Sequence, residues 1–156
     1  MQKLLDIIRN SGAKNIALVG GLDYAFDLSG MMNGHMLDDR GGSGIILSTH
    51  IYPWKKDWAG KVLVAAETHP ILVGEVGAGK EKMSWLPAEW QEDAATWVPA
   101  MLGLIQKHEF HWTAFAFHPK GGPPMLTSWD YTPNETWGDP VKRAIAGEKF
   151  VMDKLR

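Results

Sequence analysis

Four short runs of apolar residues, at 15–20, 45–49, 71–74 and 112–117, punctuate the chain, with stretches of helical periodicity between them. A strand that is apolar at successive rather than alternate positions is buried on both faces, as in parallel sheets covered by helices. Parallel neighbours need long crossover connections, and these are right-handed. The pattern predicts a helix over 2–10, stopped at Ser11-Gly12, and another over 58–67 capped by Asp57. A third runs over 94–107 from Asp93, and a last one from Pro140 to the end of the chain, with Asp139 as its cap. The glycine-rich stretch 21–44 is expected to be a loop with at most one helical turn. The expected fold class is therefore α/β, with four parallel strands and their helices.

Four such strands make either a small open sheet or half of an eight-stranded β/α barrel. The chain has 156 residues, whereas a closed barrel typically needs about 250. An open doubly wound sheet is covered by helices on both faces. A half barrel leaves two strand edges and its inner face bare, and bare edges call for a partner. Two copies closing on each other is the simplest symmetric arrangement.

Composition narrows the chemistry. The formal charge is −2 without a dense Lys/Arg run, which gives no electrostatic basis for a nucleic-acid or acidic-membrane partner and suits a neutral substrate. Cysteine is absent, so disulfides and thiolate chemistry are excluded. The first nine residues form an amphipathic pattern rather than the continuous apolar core of a signal peptide, and no run is long enough to span a bilayer. The expectation is a soluble chain, with any secretion signal belonging to a longer parent. His108 and His111 lack the i, i+4 spacing that puts two imidazoles on one helix face, and neither a metal nor a cofactor is expected. Gly74 to Lys80 has the spacing of a phosphate-binding loop, but Glu81 stands where a magnesium-binding hydroxyl belongs and Glu75 would face the phosphates.

The second and third apolar runs both end in reactive groups. His50 and Tyr52 alternate along an extended segment and so share a side, and Glu75 ends the next run. A phenol beside a carboxylate orients it and favours its ionised form, as a carboxylate nucleophile requires. The same residues fit a capping carboxylate beside a packed His/Tyr pair equally well. Eight tryptophans offer flat faces for pyranose rings, although Trp also supplies large packing area in any core.

Taken together, Ser48-Thr-His50-Ile-Tyr52-Pro-Trp54 and Val73-Gly-Glu75-Val-Gly77, with 15–21 before them and 112–119 after, resemble the barrel strands of glycoside hydrolase family 5. That family comprises retaining β-glycanases, among them endoglucanases. The resemblance covers nearly the whole chain and implies a single domain, 1–156, equivalent to the last four β/α units of a TIM barrel. It implies Glu75 as nucleophile, Tyr52 as its hydrogen-bond partner and His50 as a substrate contact. The family's sugar platform is a Trp late in the eighth strand. Phe115 and Phe117 stand there, followed by His118, so Trp54, Trp129 and Trp137 become the stacking candidates. The family's acid/base is a Glu after Asn at the end of the fourth strand. Here the only Asn-Glu is Asn134-Glu135, after the eighth strand, which leaves Glu135, Asp130 or a second copy's Glu75. The implied partners are β-1,4-glucan and further copies of the chain, as a homodimer or higher homo-oligomer. An inactive carbohydrate-binding remnant and a truncated fragment share the same resemblance.

Overall fold

The computed structural model describes residues 1–156. Its elements follow one another as α1 (Gln2–Asn10), β1 (Ala17–Gly20), β2 (Ile45–Ile51), α2 (Val64–Ala66), β3 (Ile71–Val76), α3 (Ala94–Lys107), β4 (His111–Ala114) and α4 (Gly138–Ile145). A π-helical turn over Ala59–Leu63 leads directly into α2. The strands form one parallel sheet in the order β1-β2-β3-β4, with β1 and β2 in register from Ala17↔Ile45 to Gly20↔Ser48. Spatial order equals chain order, which is the progression of strands around a β/α barrel.

The chain folds as two compact units. The first comprises Met1–His50 and Asp57–Leu72. Its core holds Phe26, Leu28, Leu47, Trp58 and Val62. The buried Thr49 hydroxyl donates to the Phe26 carbonyl at 3.0 Å, and the Leu28 N–H donates to the Lys61 carbonyl at 2.8 Å, so the long loop is tied down by its own backbone. Asp39 joins the Arg9 guanidinium and accepts the Gly44 N–H at 2.8 Å, anchoring the entry to β2. On this unit Leu4, Ile7 and Ile8 of α1, with Ile16 and Leu18 at β1, present apolar side chains to the outside.

The second unit comprises Ile51–Lys56 and Val73–Arg156. Nearly every residue of α3 from Trp97 to Ile105 is buried, against a core that includes Val73, Val76 and Trp137. Gly103 lets the chain pass close to this helix: a methyl there would lie 2.5 Å from the Met152 nitrogen and 2.8 Å from the Val151 carbonyl carbon.

Several expected boundaries move. β2 reaches Ile51 and β3 reaches Val76, so His50 and Glu75 lie inside strands, whereas β4 stops at Ala114. Gly74 and Glu75 are therefore strand residues rather than part of a phosphate-binding loop. The helix expected over 58–67 starts as a π turn, and Asp57 takes φ +58° while its Oδ1 accepts the Gly60 N–H at 3.0 Å. Asp139 is not the cap of α4, because it lies within the first turn. Asn134 Oδ1 instead collects the N–H groups of Thr136, Trp137 and Gly138 at 3.1, 2.8 and 3.2 Å. Nor does the chain end in that helix, which stops at Ile145, with Gly147 following at φ +97°.

The irregular tail ends in a half-buried ion pair. The Arg156 side chain is 2% exposed, and its Nε donates to Glu92 Oε2 at 2.8 Å while a second nitrogen reaches Oε1. This hydrogen-bonded guanidinium lowers the Glu92 pKa to about 2. A depressed carboxylate stabilises the fold above its unfolded pKa of about 4.3, and that contribution fades as pH falls through the folded value. Arg156→Ala is therefore expected to cost roughly 2 kcal/mol at neutral pH. In urea titrations the gap from the parent should narrow between about pH 4.5 and pH 2; a gap unchanged across that window would refute the assignment.

Candidate active site

β2 and the residues that follow it deliver His50, Tyr52 and Trp54, and β3 delivers Glu75. Side chains alternate across an extended segment, so Ile51 and Pro53 turn inward and are buried while His50, Tyr52 and Trp54 are half-buried. The Tyr52 hydroxyl donates to Glu75 Oε2 at 2.7 Å. Burial, then the hydrogen bond to Glu75 and its negative charge, push the Tyr52 pKa well above the ordinary phenol range. Tyr52 thus remains a proton donor at any physiological pH and fixes one oxygen of the Glu75 carboxylate.

Behind this pair lies a stack of rings. Trp54 packs parallel to Tyr52, with centroids 4.9 Å apart and planes 4° apart, and Trp85 meets Trp54 edge-on at 5.7 Å and 76°. After β4, Phe117 stacks on Tyr131 at 5.8 Å, and Trp129 meets His118 edge-on at 4.6 Å. Phe115, Phe117 and Trp129 are all exposed. His118 Nδ1 accepts the N–H groups of Lys120 and Gly121 at 2.8 and 2.7 Å, which makes it the organiser of its turn and places the ring proton of the neutral imidazole on Nε2.

Trp137, expected as a stacking residue, must be reassigned. Its indole is fully buried and its Nε1 donates to the Phe115 carbonyl at 2.9 Å, so no ring face is left for a sugar. The tight spot beside it requires Gly77, where a methyl would overlap the Phe115 oxygen and lie 2.6 Å from Pro123 Cγ.

Of the two acid candidates, Asp130 is engaged within its own turn. Asp130 Oδ1 accepts from the Ser128 hydroxyl and, at 3.1 Å, from the Thr132 N–H. These bonds lower its pKa, the wrong direction for a group that must hold a proton. Glu135 is exposed on a shallow cavity that it shares with Lys80, Val98, Arg143 and Phe150. No cluster of three or more His, Asp or Glu is arranged to hold a metal, and His108 stacks on Phe110 at 5.4 Å. No helix is long and apolar enough to cross a membrane.

No protein-family model and no curated protein matches the chain. Among solved structures, it is similar to a β-glucanase from Saccharophagus degradans, determined in its native form and in complex with cellotetraose. The TM-score is 0.75 at 26% identity, over 93% of this chain and 45% of that one. The fold matches about half of that β-glucanase. An endo-β-1,4-glucanase from Xanthomonas axonopodis pv. citri, solved as a triple mutant, agrees in fold, with a TM-score of 0.61 at 17% identity over 94% of this chain and 54% of that one. The chain thus spans about half the length of the enzymes it matches. Trp85, Tyr131 and the Trp137 hydrogen bond escaped the sequence reading. Trp85 and Trp90, two tryptophans in a polar loop just beyond Glu75, were the available signal.

The Tyr52–Glu75 bond has a spectroscopic test. Phenolate absorbance should show Tyr52 ionising above the ordinary range, and Glu75→Gln should lower its midpoint without restoring the free value, because burial persists. An unchanged midpoint in the variant would show that the two groups are not coupled.

Proposed function

We propose that this chain carries the nucleophile half of a retaining endo-β-1,4-glucanase site, as the last four β/α units of a family 5 barrel. The observation that carries the reading is the Tyr52 hydroxyl bound to Glu75 Oε2. With the carboxylate oriented in this way, Glu75 attacks the anomeric carbon and forms the glycosyl-enzyme bond, while the glycosidic oxygen leaves with a proton from an acid. Water then releases the sugar, activated by the same group in its basic form. His50, two residues before Tyr52 in the chain, is the proposed substrate contact beside the reacting bond. The partly exposed rings of Trp54, Trp129, Phe115 and Phe117, with His118 behind Trp129, line the path of a β-glucan chain.

Retention requires a second carboxyl group about 5–5.5 Å from the first. The arrangements of Asp130 and Glu135 favour its supply from a second copy. The exposed apolar residues of α1 and β1 support the same conclusion, since a homodimer or higher homo-oligomer would cover them. Sedimentation velocity is expected to show a dimer or larger species, and a stable monomer at micromolar concentration would sink the assembly.

The hydrogen-bonded, low-pKa Asp130 also favours a second reading, a carbohydrate-binding remnant that keeps its aromatic path without an acid. Reducing-sugar release from carboxymethyl cellulose separates the two. Activity in the parent that disappears in Glu75→Gln is the expected result. No release by either protein, with glucan binding retained, would establish the remnant.

A further inference from the structure

The loop between β3 and α3 carries two exposed tryptophans, Trp85 and Trp90. An indole left 69% exposed, as Trp85 is, forfeits most of the burial that normally makes Trp favourable in a fold. The loop nevertheless spends several hydrogen bonds on holding it in place. The buried Gln91 side chain accepts the Met83 N–H at 2.6 Å and donates to the carbonyls of Met83 and Leu86 at 2.9 and 3.1 Å. Those contacts clamp both ends of the turn that has Trp85 near its tip, and the Leu86 N–H closes the turn onto the Met83 carbonyl at 3.2 Å. Lys82 Nζ spans the loop to the Ala88 carbonyl at 3.2 Å. The ring is presented on a fixed support, so little ordering cost is left for a ligand.

What it presents is a corner. The planes of Trp54 and Trp85 meet at 76°, and Trp54 is itself stacked on Tyr52, whose hydroxyl holds Glu75. Trp85 is thus the outermost ring of a series that begins at the carboxylate. The enclosed space at the base of this loop, lined by Pro53, Trp54, Gly77, Gln91 and Pro123 among others, measures only ≈ 20 Å³, enough for a water molecule and not for a sugar ring. A ligand of this corner must therefore lie along the open ring faces. Such a ligand is flat, carries C–H groups on its faces and hydroxyls at its edges, and is long enough to extend outward from Glu75. A β-1,4-linked glucan ribbon has that shape, and the exposed Lys80, Glu81 and Lys82 of the same loop offer polar partners for its edge.

We infer that Trp85, clamped by Gln91 and set against Trp54, is a carbohydrate-stacking residue that holds a glucan unit beyond the one reacting at Glu75. The inference rests on the glucanase reading and adds a specificity-determining contact to it. It makes the site one that prefers long chains over short ones.

Calorimetric titration with cellohexaose in a Glu75→Gln background, which prevents turnover, tests it. Adding Trp85→Ala is expected to weaken binding about tenfold, with thermal unfolding unchanged because the side chain is largely exposed. Trp90→Ala, a change at the other exposed indole of the same loop, should leave binding as it was. Equal affinity with and without Trp85 would overturn the stacking role while leaving the glucanase reading intact. Equal losses in the two Trp variants would overturn it too, since a diffuse aromatic surface would then be responsible. If the Glu75→Gln protein with Trp85 intact binds no cellohexaose, both the stacking role and the glucan-binding reading fall together.

Discussion

A parallel ladder runs its strands in one direction, so every strand finishes at the same rim and every crossover returns to the opposite one. In this protein that constraint brings Glu75, from β3, within a hydrogen bond of Tyr52, just past the end of β2, although 23 residues separate them. An antiparallel hairpin would have sent the two to opposite ends. The apolar residues that bury β2 and β3, among them Leu47, Ile51, Val73 and Val76, thereby fix where the polar chemistry emerges. Core packing and site geometry are two results of one pairing pattern.

The protein uses aromatic rings in two distinct ways. Trp58, Trp97 and Trp137 are fully buried and act as volume. Trp54, Trp85 and Trp129 stand in loops beyond the strands, in contact with other rings and partly open to solvent. Buried indoles set the spacing of the scaffold, and open ones form a rigid apolar surface that still tolerates water.

Much of this was legible in the chain itself. Continuous apolar runs announced parallel strands, and α3 was readable to the residue because its apolar content and its Asp93 start agree. The Tyr52–Glu75 pairing was readable because both side chains fall near the ends of neighbouring apolar runs, which is visible in one dimension. The failures share a physical cause, namely side chains that bond to backbone at a distance. Asn134, not Asp139, gathers the free N–H groups at the start of α4, and by doing so it turns Trp137 into the core. No periodicity marks such a residue. Trp85 was missed for the reciprocal reason, since its role comes from the Gln91 clamp and from an edge contact with a ring 31 positions earlier in the chain.

Gly77 shows how narrow the tolerance at this rim is. Two residues beyond the Glu75 carboxylate, its missing side chain is the room in which the Phe115 carbonyl, Pro123 and the Trp137 indole come together. Interiors packed at crystal-like density transmit a displacement instead of absorbing it. The end of β3 and the segment after β4 are therefore one mechanical piece, and a single added carbon would wedge them apart. Divergence among chains of this design then has to proceed around a fixed hydrogen atom at position 77.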